Sequence, residues 1–143
     1  MLLSETQAAC NDLLELIEES IDLYQDHAAQ LPASDRKAQL DRLMEERQQL
    51  LEELQQQARQ SLGLRPRAAD LDMEGLTHLL GQFRSLWQSP EGVALEVMRD
   101  QEKAVHDALT KLQQQDEGLP EHLQLSLRKL ADHLTAIAPW WRP

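Results

Sequence analysis

Apolar residues recur along this chain at alternating steps of four and three, the spacing that lines one face of an α-helix. The first stripe is Cys10, Leu14, Ile17, Ile21, Tyr24, Ala28 and Leu31, widened by Leu13 and Leu16 and flanked by acids such as Asp12, Glu15, Glu18 and Glu19. Ser4 precedes Gln7 at capping-box spacing, so a first helix is predicted over about 4–29. Leu31-Pro32-Ala33-Ser34 breaks the pattern, and Ser34 can cap a second helix over 35–62 that holds neither glycine nor proline and stops before Gly63. So short a link predicts an antiparallel helical hairpin.

Residues 64–72, LRPRAADLD, lack periodicity and read as a connection. A short helix over about 73–87 follows, carrying Leu76, Leu79, Leu80, Phe83, Leu86 and Trp87, and is expected to close one side or end of the fold. Ser89-Pro90-Glu91 restarts the chain as a helix over about 90–115, with Ala94, Met98, Gln101, Val105, Ala108 and Leu112 on its seam. Asp116-Glu117-Gly118 stops it. The last helix, over about 120–137, aligns Leu123, Leu127, Leu130, Leu134 and Ile137, and is expected to end at Ala138-Pro139. A tail over 138–143 then carries Trp140 and Trp141 as a candidate interaction element, able to pack across the end of the fold or to dock on another chain.

The second helix breaks its own rule. Its seam runs Leu40, Met44, Arg47, Leu51, Leu54, Ala58 and Ser61, which puts an arginine where a core residue belongs. A buried guanidinium needs a paired charge and filled donors, so Arg47 is expected to face a carboxylate on an adjacent helix, such as Glu15, Glu18, Glu19 or Glu102. With Gln101 on the third long seam, the candidate buried polar network is Arg47, Gln101, Glu18 and Glu102. Its plainest role is to fix helix register. Several leucines exceed what four seams need (Leu13, Leu16, Leu23, Leu43, Leu50, Leu95 and Leu109), and any of them left uncovered would mark an oligomer or partner contact.

At 143 residues the chain has the length of one domain, 1–143, able to bury a core without metal or disulfide. One Phe, one Tyr, five Gly and few β-branched residues leave little from which to build strands, so the class is all-α. A formal charge of −11 and a pI near 4.8 oppose nucleic acid and anionic membrane, because counterion release needs a basic surface. No stretch reaches the ~18 apolar residues of a membrane span. With a single cysteine and no basic n-region at MLLSETQAAC, the simplest expectation is the cytoplasm.

The order of these features resembles a bacterial family of ferritin-like four-helix bundles of unknown function, often stress-associated. The matching pieces are LYQDHAAQL, RLMEERQQLLEELQQQARQSLGLRP, EVMRDQEKAVHDAL and LPEHLQLSLRKLADHLTAI, which together span most of residues 5–138; the crossover matches least. The resemblance implies a ferritin-like up-down four-helix bundle with a long crossover containing a short extra helix. It implies no chemistry.

A ferritin-like fold raises the expectation of a dinuclear iron or manganese centre, built from inward carboxylates with Glu-x-x-His on two helices. This chain has no Glu-x-x-His, none of its four seams contains Asp, Glu or His, and Arg47 would repel a cation. The nearest approaches to a metal pair are Glu102 with His106, spaced by four, and His133 beside Asp132. The histidines His27, His78, His122 and His133 read as surface or interface residues, and Cys10 as a small buried apolar residue. No nucleophile arrangement or phosphate loop is present. The expectation is therefore a non-catalytic bundle with no metal, cofactor or catalytic residue, engaged with a protein partner or with itself. The alternatives are a di-metal oxidoreductase and an export-chaperone-like adaptor that seats a client helix; nothing in the residues points to a small-molecule ligand.

Overall fold

The computed structural model describes residues 4–63, 91–115 and 119–141, without the side chains of 91–95, 97, 140 and 141. The short helix expected over 73–87 lies outside the described residues. Among the described residues four helices carry the fold: α1 (Glu5–Gln30), α2 (Asp35–Leu62), α3 (Glu91–Gln113) and α4 (Glu121–Trp141).

Local chemistry accounts for the helix ends. Ser4 accepts from the Gln7 backbone while the Gln7 side chain receives the Ser4 N–H, so two of the free donors at the start of α1 are filled reciprocally. Gln7 also donates through Nε2 to the Leu62 carbonyl at 2.7 Å, which fastens the start of α1 to the end of α2. Ser34 caps α2 by accepting from the Lys37 N–H at 3.2 Å. Gly63 closes α2 in the left-handed region at φ 66°, where a Cβ would be strained. α4 does not stop at Ala138-Pro139 but runs on to Trp141 with Pro139 inside it. Pro139 has no N–H to offer the Thr135 carbonyl and its ring crowds that carbonyl, a cost of about 3 kcal/mol in a helix interior; here it falls two residues from the helix end. Trp140 and Trp141 therefore belong to the last turn of α4 rather than to a free tail; their side chains lie outside the described residues.

Each helix packs against two others: α1 against α2 and α3, and α4 against α2 and α3, leaving α1/α4 and α2/α3 as diagonals. Direction follows from the core. One apolar cluster joins residues 9–21 of α1, 50–58 of α2, 105–112 of α3, Leu119 just before α4 and 123–134 of α4. A second joins Leu23, Tyr24 and Ala28 of α1, Leu40 and Met44 of α2, Met98 of α3 and Ile137 of α4. α1 and α4 thus run one way and α2 and α3 the other, so every packed pair is antiparallel and the chain re-enters at α3 at the end opposite to the one where it leaves α2.

The buried stripes are broader than the four-three seams. Leu13 is fully buried where Leu14 was expected, and Leu23, Leu50 and Leu109 are core, so these leucines do not form a surplus patch. Leu125 of α4, 51 % exposed, is the large apolar residue left in solvent among the described residues.

Candidate functional site

Between the two apolar clusters lies a polar layer to which all four helices contribute. Its centre is Arg47 of α2, which has no solvent exposure. Its guanidinium grips the Glu102 carboxylate of α3 bidentately, Nη1 to Oε2 at 3.0 Å and Nη2 to Oε1 at 2.5 Å. Nη1 also donates to Ser20 Oγ of α1 at 3.0 Å, and Nε donates to His133 Nε2 of α4 at 3.0 Å. The fork geometry of arginine makes this possible, because four bonds leave in three directions from one plane.

Each partner is itself held. Ser20 passes its hydroxyl hydrogen to the Ile17 carbonyl, leaving its oxygen free to accept from Arg47. The Tyr24 hydroxyl donates to Glu102 Oε2, and the Arg47 guanidinium lies 5.1 Å from the centre of the Tyr24 ring. Because Arg47 Nε–H can only donate, His133 Nε2 must be the unprotonated nitrogen and Nδ1 must carry the hydrogen. Nδ1 lies 3.3 Å from Glu46 Oε1 of α2, within attraction but not aligned for a full hydrogen bond.

The electrostatics follow from burial and pairing. Burial alone would lower the Arg47 pKa, but the charge and hydrogen bonds of Glu102 outweigh it and the net shift is upward. Burial, then Glu102, hold the Tyr24 phenol well above its ordinary value against the opposing pull of Arg47. His133 is pushed down by burial and by Arg47, with Glu46 opposing, which keeps it neutral.

Of the residues singled out in the sequence, the structure brings Arg47 and Glu102 together. Glu102 reaches Arg47 across the diagonal of the bundle, not from a packed neighbour. Gln101 lies beside the layer and donates to the Leu16 carbonyl at 3.4 Å. Glu18 is on the exposed face of α1, away from the buried Arg47. The third seam keeps Met98, Val105 and Leu112 in the core as expected, but Leu109 is buried beside Ala108 and Glu102 turns to Arg47 beside Gln101, so the polar layer does contain a carboxylate.

Two histidines also depart from the surface placement expected for them. His133 is 1 % exposed and His27 is 4 % exposed, whereas His122 and His106 are exposed; His78 lies outside the described residues. His133 turns to Arg47 and away from the exposed Asp132, and His106 sits with Asp107 on the surface at 3.9 Å. Sequence reasoning missed His133, Ser20 and Tyr24 as members of the layer. A signal was available for two of them: Ser20 is three residues from Ile17 and four from Tyr24, and His133 is three from Leu130 and four from Ile137, all core positions.

The donor chemistry of the layer does not suit a metal ion. Both Glu102 oxygens and the free lone pair of His133 already accept from Arg47, and the guanidinium would repel a cation placed among them. Among the described residues, no group of three or more His, Cys, Asp or Glu is placed to hold one. Cys10, the free thiol on α1, is buried, and burial pushes its pKa up to about 11, so it stays protonated and unreactive. No described helix is long and apolar enough to cross a membrane. No protein-family model, curated protein or solved structure matches this chain.

Proposed function

We propose that the chain is a ferritin-like helical bundle that works as a cytoplasmic protein-interaction module, of a stress-associated kind, without metal redox chemistry. The observation that carries this reading is the saturated Arg47 layer. The up, down, down, up order of the helices is that of ferritin-like bundles, which place their di-metal ligands at mid-core. At that level this chain has a guanidinium, and the two residues there able to bind a metal already accept its hydrogens. What the layer supplies instead is fixed register among four helices, which suits a rigid scaffold whose surfaces carry the function.

Metal analysis of protein purified from metal-supplemented medium tests the metal-free part. The expected result is less than stoichiometric iron and manganese; two tightly held irons per chain would overturn the reading in favour of a di-metal oxidoreductase. Light-scattering mass of the full chain and of a chain lacking residues 139–143 tests the partner role of the α4 end. A change in oligomeric state on truncation supports docking through Trp140 and Trp141, while lost thermal stability at unchanged mass assigns them to packing.

A shallow groove of about 290 Å³ between α1 and α3 favours a second reading. Ala9, Leu16 and Ala108 form its apolar part, with Asp12, Glu15, Glu19 and Lys111 around them. An adaptor that seats a client's amphipathic helix would use such a surface. Co-purification with one stoichiometric client that protects α1 and α3 from hydrogen exchange would favour it.

A further inference from the structure

His133 is the member of the polar layer whose charge changes near neutral pH, and its place in the layer depends on being uncharged. Nε2 receives the Arg47 Nε–H at 3.0 Å. A proton on Nε2 would set N–H against N–H beside a guanidinium that has no exposure to water. The bond would be lost and replaced by repulsion.

The groups around the imidazole can be named from each packed helix. From α2 come Glu46, 56 % exposed, and Arg47, fully buried. From α3 comes Glu102, already held by Arg47 and Tyr24. α1 does not pack against α4 and reaches His133 only through Arg47. On α4 itself, Lys129 and Asp132 are exposed. The one acid near Nδ1 is therefore screened by water, while the cation at Nε2 is not, and the balance opposes protonation in the folded state.

We propose that His133 is an acid-sensitive latch that ties α4 to the rest of the bundle. When it is neutral, Arg47 holds α4 through His133 while holding α3 through Glu102 and α1 through Ser20. When it is protonated, the tie to α4 breaks, whereas the Arg47–Glu102 and Arg47–Ser20 bonds remain. The sign is fixed by linkage: the folded-state pKa lies below the unfolded value of about 6.5, so the stabilisation is complete above that value and is lost as pH falls through the folded pKa.

Hydrogen exchange of the full-length protein, corrected for intrinsic rates and compared at a pH of about 7.5 and about 5.5, tests the latch. Amides of α4 should lose about tenfold in protection per pH unit within the titration window, with α1 and α3 losing less. His133→Gln, whose amide oxygen can accept from Arg47 without titrating, should show a flat response in this range. Glu46→Gln, on the exposed edge, keeps the imidazole and should move the transition to lower pH. Since His27 is also buried, His27→Gln is the control, and it should leave the α4 response in place. A response that survives His133→Gln, disappears in His27→Gln, or spreads equally over all four helices overturns the proposal. If His133→Gln does not fold, an imidazole titration by NMR in wild type and Glu46→Gln decides: a pKa at or above the unfolded value refutes the latch.

Discussion

Replacing Glu102 with alanine would leave the Arg47 guanidinium at the centre of the core with Ser20 and His133 to accept from it but no counter-charge. Removing one partner of a buried ion pair costs about 3–5 kcal/mol, because the remaining charge stays desolvated. Glu102 is 12 % exposed, so water entering at its edge places the expected loss toward the lower end of that range. With an unfolding entropy of ~2.1 cal/mol/K per residue, a 143-residue domain loses roughly 3 °C of Tm per kcal/mol, and the variant should melt roughly 10 °C lower. Arg47→Met removes the charge itself and should cost less, since Glu102 retains the Tyr24 hydroxyl and a path to water. The double variant Arg47→Met, Glu102→Leu, which turns the pair into hydrophobic contact, should recover most of the loss. Thermal and urea unfolding followed by far-UV circular dichroism measure all three. A loss below about 1 kcal/mol for Glu102→Ala, the cost of an exposed pair, would refute the buried-pair account, as would equal tolerance of both single changes.

Two further outcomes can be checked with the same material. Tyr24→Phe keeps the ring beside Arg47 and deletes the hydroxyl that donates to Glu102, so it should cost about 1–2 kcal/mol, measured as a shift in urea midpoint without a change in slope. Cys10, held protonated by burial, should react with a thiol reagent only as fast as α1 opens; modification at the rate of a free thiol in native buffer would place it at the surface.

The capping chemistry of Ser4, Ser34 and Gly63 was legible because it is local: a hydroxyl or a missing Cβ answers to backbone groups within four residues. Arg47 was legible for a different reason, as a violation of an otherwise regular stripe. The partners were harder to find. A strict four-three step selects a narrow seam, but each helix here packs against two neighbours and buries both flanks of its seam. Leu13 is therefore buried in preference to Leu14, Glu102 turns inward beside Gln101, and Ser20 and His133 enter the core from flanking positions. Choosing between Gln101 and Glu102 depends on a rotation of α3 that only tertiary packing sets. The end of α4 was misplaced because Pro139 was read as a stop, whereas the helix carries it in its last turn.

Arg47 also bears on the order in which the bundle can assemble. The α1–α2 hairpin is local in sequence and has the earliest opportunity to form, and it offers Arg47 the Ser20 hydroxyl and Tyr24 but not the Glu102 carboxylate. The carboxylate arrives with α3 and the imidazole with α4. Any compact form that took Arg47 out of water without α3 in register would hold an unpaired cation, at the cost of a desolvated charge. One side chain thus acts as a completeness check, separating the finished bundle from compact states with a helix missing or out of register.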